Sequence, residues 1–319
     1  MFRRVSVASP PADYTAALVE GPWRHEFVPA NGARFHVAVA GPERSAGARP
    51  PLVLFLHGFP QFWWAWRHQL EALSDAGLRV AAMDLRGVGG SDKPPSGYDT
   101  PTRTRDVAGV VRSLGHDRAV VVGHSTGGAI AWSMATLQPA VTAGVAAVAA
   151  PHPARMHASF RQLLTPAAVR ALAFYQVPTL PERQLVQGDL VDRVLAAGAA
   201  RPLSPDAVAR YRTVMRIPFA AHTAMESLRW TVRSSPRPDG RRYLSTVRRP
   251  VGVPALQVHG GADGFVRREL ADADAAALAR DFRFEVVDGA GHFLPEEAPD
   301  RLSEILLDWL RGTVVDATA

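Results

Sequence analysis

A serine hydroxyl is a poor nucleophile near neutral pH unless a base takes its proton, and the base in turn needs a group to orient it. One stretch offers such a serine: Gly123-His124-Ser125-Thr126-Gly127. It is entered through the apolar run Ala119-Val120-Val121-Val122 and followed by Ala129, Ala131, Trp132, Met134 and Ala135 at helical spacing. G-x-S-x-G carries weight only on such a strand–turn–helix background. The turn has to be sharp enough to strain the Ser125 backbone and expose its hydroxyl, and side chains at 123 or 127 would collide there. The start of the following helix adds N–H groups and a positive dipole end for a developing oxyanion.

The base and its orienter lie far downstream. His292 sits in the Gly-rich loop Asp288-Gly289-Ala290-Gly291-His292-Phe293, after the last strand the pattern predicts. Asp263 closes His259-Gly260-Gly261-Ala262-Asp263, just past an earlier strand. Both loops fall at the carboxyl edge of a parallel sheet, where open α/β sheets keep their sites. The chain order serine, aspartate, histidine is one that a parallel-sheet architecture uses for acyl transfer. Asp288 is nearer to His292 in sequence and is the rival orienter; its expected role is to cap the turn before Gly289. His124 should point away from Ser125 and pack inside the turn. His57-Gly58-Phe59-Pro60 ends another strand, so the backbone N–H groups of Phe59 and of Thr126 are the expected oxyanion donors.

The elements that must position these groups follow from periodicity. His25–Val28 and Arg34–Val39 alternate around Asn31-Gly32, a hairpin signal. Leu52–Leu56 is continuously apolar, as a strand covered on both faces should be. Further strands are expected at 80–83, 119–122, 144–150, 254–258 and 282–287, alternating with helices at 66–76, 102–114, 129–135, 267–280 and 299–310. That alternation predicts an α/β fold with a mostly parallel, doubly wound sheet. From 152 to 246 it stops, and the stretch reads as helices broken by proline, at about 166–176, 182–197, 205–215 and 219–233. The expected organisation is an N-terminal arm (1–22), a sheet core (23–151 and 247–319) and a helical cap or lid (152–246).

Bulk composition narrows the partners. The 319 residues, 47% hydrophobic, can bury a sizeable core. With no cysteine, disulfides, thiolate nucleophiles and Cys-type metal sites are excluded. The net charge of +6 comes from 36 basic and 30 acidic residues, with Lys93 the only lysine. The arginines are interleaved with acids, so an ordinary solvated surface is expected rather than a nucleic-acid site. The densest cluster, Arg233 to Arg249, reads as an exposed linker. No apolar span is long enough to cross a membrane and the N-terminus lacks a signal core, so a cytoplasmic location is expected.

Together these residues resemble the α/β-hydrolase family over about residues 23–312. His57-Gly58-Phe59-Pro60-Gln61-Phe62-Trp63-Trp64-Ala65-Trp66-Arg67, Asp84-Leu85-Arg86-Gly87, Pro151-His152-Pro153 and Phe174-Tyr175-Gln176-Val177-Pro178 are similar to its epoxide-hydrolase branch. That branch uses an aspartate nucleophile, usually followed by tryptophan, and two cap tyrosines that protonate the epoxide oxygen. Here the pair is Ser125-Thr126, and spacing from Gln176 and Glu226 puts the tyrosine positions at Ala171 and His222. The resemblance therefore implies a kept scaffold with changed chemistry. The expectation is a cofactor-free serine hydrolase with a Ser125–His292–Asp263 triad, acting on a small apolar ester, lactone or thioester, and needing no metal. Tyr175, His222 and Phe293 are the candidates to line its pocket. Epoxide hydrolysis, a ligand-binding protein on the same scaffold, and a serine enzyme cleaving carbon–carbon bonds or making peracids are the alternatives.

Overall fold

The structure, a computed structural model, describes residues 12–43, 52–270 and 278–316. Among the described residues eight strands form one sheet, which we label in chain order as β1 (Arg24–Ala30), β2 (Ala33–Ala40), β3 (Leu52–Leu56), β4 (Val80–Met83), β5 (Ala119–His124), β6 (Thr142–Val148), β7 (Ala255–Gly260) and β8 (Phe282–Val287). Their spatial order is β1-β2-β4-β3-β5-β6-β7-β8. β1 and β2 form the expected hairpin over Asn31 (φ 42°) and Gly32 (φ 74°), and β2 joins β4 antiparallel. Every pairing from β4 through β3, β5, β6 and β7 to β8 is parallel.

The central strands are apolar throughout because both faces are covered. Every residue of β3, β5, β6 and β7 is buried. Successive side chains on a strand point to opposite faces. Val53 and Phe55 accordingly join a core with Trp63, Trp66 and Leu306, while Leu52, Leu54 and Leu56 join one with Val107, Val110, Val111 and Ile130. The covering helices are α1 (Arg67–Asp75), α2 (Thr100–Ser113), α3 (Thr126–Leu137), a short α11 (Leu294–Glu297) and α12 (Pro299–Asp316). The expected helix at 267–280 shows a 3-10 turn at Arg268–Leu270, and 271–277 lie outside the described residues.

Between β6 and β7 stands the helical excursion that we propose as the cap. It comprises α4 (Pro153–Leu163), α5 (Pro166–Tyr175), α6 (Leu180–Gln187), α7 (Leu190–Gly198), α8 (Pro205–Met215), α9 (Ala220–Arg233) and α10 (Pro238–Val247). Several expectations need correcting here. The helix expected at 182–197 is two, parted at Gly188, whose backbone is extended. The linker expected at 233–249 contains α10, which seats Tyr243, Leu244 and Val247 in a small core and leaves its arginines outside. α4 stands outside all of the expected helices. Prolines that read as breaks stand at the first or second position of α4, α5, α6, α8 and α10, where the missing N–H has no intrahelical partner to lose. The expected loose arm is also partly docked. Asp13 caps a 3-10 turn over Tyr14–Ala17, and the Ala17 carbonyl accepts Trp63 Nε1–H at 2.6 Å; residues 1–11 lie outside the described set.

Candidate active site

The turn between β5 and α3 holds Ser125 at φ 51°, ψ −113°, a conformation side chains rarely adopt. Its N–H donates to Val148 O at 2.9 Å, and its carbonyl accepts from Ala129 N at 3.1 Å. The turn is tight enough that a Cβ on Gly123 would lie 2.1 Å from Gly127 O, and one on Gly127 2.4 Å from Leu56 O. Only glycine fits either position. Ser125 and Thr126 keep partial exposure, unlike the strand that delivers them. Thr126 opens α3, so its N–H belongs to the first turn, where no intrahelical acceptor exists.

The loops after β7 and β8 meet at the same edge. His292 Nδ1–H donates to Asp263 Oδ2 at 2.9 Å, which leaves Nε2 as the acceptor nitrogen of the ring. Asp263 Oδ1 accepts the N–H groups of Phe265 at 2.7 Å and Val266 at 3.0 Å. Burial by itself would raise the Asp263 pKa. The charge and hydrogen bond of His292, the nearby His259 and the Phe265 N–H outweigh it and hold the carboxyl below its ordinary value. A buried carboxylate beside the imidazole therefore stays ionised. His259 is wholly buried, with Nε2 3.8 Å from Asp263 Oδ2, and burial keeps it neutral by lowering its pKa.

His124 links the serine turn to the histidine loop. Its Nε2–H donates to the His292 carbonyl at 2.8 Å, and the two rings stand 5.1 Å apart. Burial lowers its pKa to about 3, so it is a neutral packing residue inside the turn. His57 is likewise buried and neutral, its pKa lowered to about 4. It donates through Nδ1 to Gly58 O at 2.9 Å and accepts Leu85 N–H at 3.1 Å, which fixes the loop carrying Phe59. A Cβ on Gly58 would come within 3.0 Å of Ser125 Cβ, so this loop lies directly against the serine turn.

The remaining candidates divide. Tyr175 is buried and meets the Phe59 ring edge-on at 5.8 Å, beside the expected oxyanion loop. Phe293, expected in the pocket lining, is 0% exposed and packs against His292, His124 and Phe265; it supports the imidazole from within the core. His222, expected to face substrate, is exposed on α9 between the buried Ala221 and Thr223. Asp288, the rival orienter, is exposed and pairs with Arg268 at 3.2 Å, while Asp263 holds the ring. Sequence reasoning passed over two groups that grip the His292 loop, the carbonyl of Gly198 and the carboxylate of Glu297. Only the short spacing from His292 to Glu297 could have drawn attention to the latter. Among the described residues no group of three or more acids and histidines is placed to hold a metal ion, and no helix is long and apolar enough to cross a membrane.

A family model described as the alpha/beta hydrolase fold matches residues 51–299. The chain is 32% identical to the AB hydrolase superfamily protein YfhM of Bacillus subtilis, over 90% of this chain and 98% of that protein. It is 30% identical to Epoxide hydrolase A of Mycobacterium tuberculosis, over 90% of this chain and 97% of that protein. Among solved structures, Epoxide Hydrolase A from Mycobacterium thermoresistibile superposes with a TM-score of 0.75 at 26% identity, covering 91% of this chain and 98% of that one.

Proposed function

Because the chain belongs to the α/β-hydrolase family, we propose that it is a serine hydrolase cleaving a small apolar carboxylic ester, lactone or thioester without a cofactor. The observation that carries this reading is the Asp263–His292 hydrogen bond at the sheet edge where the strained turn presents a serine. Ser125 Oγ attacks the acyl carbon while its proton passes to His292 Nε2. The Phe59 and Thr126 N–H groups receive the oxyanion. His292⁺ then protonates the leaving alkoxide or thiolate as the tetrahedral intermediate collapses to an acyl-serine. Water, deprotonated by His292, attacks that acyl carbon, and the carboxylic acid departs as Ser125 regains its proton.

Several relatives are named as epoxide hydrolases, which makes epoxide opening the second reading. Ser125 argues against it. Attack of a serine on an epoxide carbon gives an ether, which has no carbonyl for water to attack and so no route to release. Ala171 and His222 at the expected tyrosine positions leave the epoxide oxygen without those acids. The cap is proposed as the residues 152–246 excursion, with Tyr175 as the lining residue nearest Phe59.

The test is a panel of p-nitrophenyl esters together with styrene oxide, assayed with the native enzyme and Ser125→Ala. Ester hydrolysis should fall by roughly 10³-fold or more in the variant, as loss of a triad nucleophile does elsewhere. Equal ester rates in the two proteins would refute the assignment. Styrene oxide turnover lost in Ser125→Ala would establish the second reading instead. A fluorophosphonate probe that leaves Ser125 unlabelled would favour a ligand-binding protein.

A further inference from the structure

The loop that carries His292 is held through several of its backbone groups, and much of the grip comes from two places. The His292 N–H donates to the carbonyl of Gly198 at 2.9 Å, and the Gly264 N–H, one residue past Asp263, donates to the same carbonyl at 3.2 Å. Gly198 is the last residue of α7, so its carbonyl is one of the four that a helix end leaves without an internal partner. Glu297, 4% exposed, gathers the flanking N–H groups. Its Oε1 accepts from Phe293 at 3.0 Å, and its Oε2 accepts from Gly291 at 2.9 Å and from Ala200 at 2.8 Å. Ala200 lies just past the end of α7. One carboxylate thus bonds both to the segment around His292 and to the proposed cap.

Packing closes the same joint. A Cβ on Gly264 would sit 2.0 Å from Ala197 O, and one on Gly291 would sit 2.4 Å from Ala200 N. Backbone meets backbone here with no side chain between, so neither loop can shift without dragging α7. A buried carboxylate accepting three N–H bonds is also a group whose loss leaves three donors unpaired.

We propose that Glu297 is a positioning residue for His292, and that it acts by splinting the base loop to the C-terminal end of α7, so that cap and base move as one body. Glu297 does not face the reacting atoms; it sets where the imidazole stands. The catalytic part of this statement rests on the serine-hydrolase reading, whereas the splint itself does not.

The experiment is Glu297→Gln in the full chain, read in two ways. The first is kcat and KM on p-nitrophenyl butyrate. The second is amide hydrogen exchange of residues 198–200 and 290–293. The amide keeps the shape of Glu297 but turns one acceptor into a donor facing an N–H. A displaced base should lower kcat about 10- to 100-fold with KM changed less than about 2-fold, since misplacement by about an ångström costs that order of rate. Exchange at Ala200, Gly291 and Phe293 should accelerate together, because an opening unit exchanges cooperatively. Unchanged kcat, or faster exchange at 290–293 with none at 198–200, overturns the proposal. If the variant does not fold, the native protein decides: the two segments should show protection within about 3-fold of each other, and a gap of about 30-fold or more sinks the splint. If the native protein hydrolyses no ester, the serine reading fails, while the exchange comparison still judges Glu297.

Discussion

The φ of 51° with ψ of −113° at Ser125 is a conformation that costs about 1–3 kcal/mol of strain in any residue with a Cβ. The surrounding glycines and the Val148 and Ala129 hydrogen bonds leave the turn no other path. Elsewhere glycine is less stable than alanine by about 0.5–1 kcal/mol, because it loses more freedom on folding. At 125 the order should invert. Ser125→Gly is expected to exceed Ser125→Ala by about 1 kcal/mol in urea unfolding, with both variants lacking esterase activity. An alanine variant equal to or more stable than the glycine would show that the turn relaxes without cost. At this scale the sequence led to the residues proposed for the site. Ser125, Asp263 and His292 announced themselves through glycine context and chain order, and the structure joins Asp263 to His292. Glu297 and Gly198 did not, because they act on peptide groups, and a backbone contact leaves no residue type to recognise. Phe293 lies in the core rather than in a pocket wall, because aromatic identity alone does not separate the two.

At the scale of elements, the strands were legible because two-sided burial writes an unbroken apolar run, as in Leu52–Leu56 and Ala119–Val122. The proposed cap was less so. Its helices are short and start on prolines, and proline signals a start as readily as a stop. Much of their order comes from contacts that periodicity does not encode. Arg229 on α9, 6% exposed, is the clearest case. Its guanidinium donates to Tyr175 O at 3.0 Å and Val177 O at 2.8 Å at the end of α5, and to Glu182 at 2.6 Å in the first turn of α6. One side chain therefore fastens three helices, and its removal would strand two carbonyls and a half-buried carboxylate. Arg229→Ala should destabilise the protein by about 3 kcal/mol in urea unfolding, the range for breaking a buried pair by deleting one partner. Arg241→Ala, exposed on α10, should stay within about 0.5 kcal/mol. Similar losses for the two would mean that Arg229 is as dispensable as a surface charge.

Across the whole molecule, the densest store of pH sensitivity is a set of histidines kept neutral by burial. Burial lowers the pKa of His57 to about 4, of His124 to about 3 and of His152 to about 4, from an ordinary 6.5. His57 braces the Phe59 loop, His124 ties the serine turn to the His292 loop, and His152 accepts the Ala154 N–H to cap α4. For each, the unfolded chain takes a proton near pH 6.5 while the folded chain refuses it until about pH 4 or below. Stability is therefore intact above pH 6.5 and is lost as the pH falls towards the folded values, by about 3 kcal/mol for a shift of this size. With three groups acting together the slope approaches about 4 kcal/mol per pH unit between those limits. The buried carboxylates act in another window. Asp84 and Asp263 have folded pKa values below 3.8, so the stability they contribute survives until the pH falls beneath the ordinary carboxylate range. Acid unfolding should accordingly begin near pH 6, well before carboxylates titrate, and the urea midpoint should drop steadily from pH 7 to pH 5. His152→Asn keeps a capping oxygen but cannot titrate, so it should lower that slope by one group's share, about 1.4 kcal/mol per pH unit. A urea midpoint constant between pH 7 and pH 5 would mean that these imidazoles find water or a proton in the folded state. The loops around Ser125 and His292 would then owe their rigidity to backbone contacts alone.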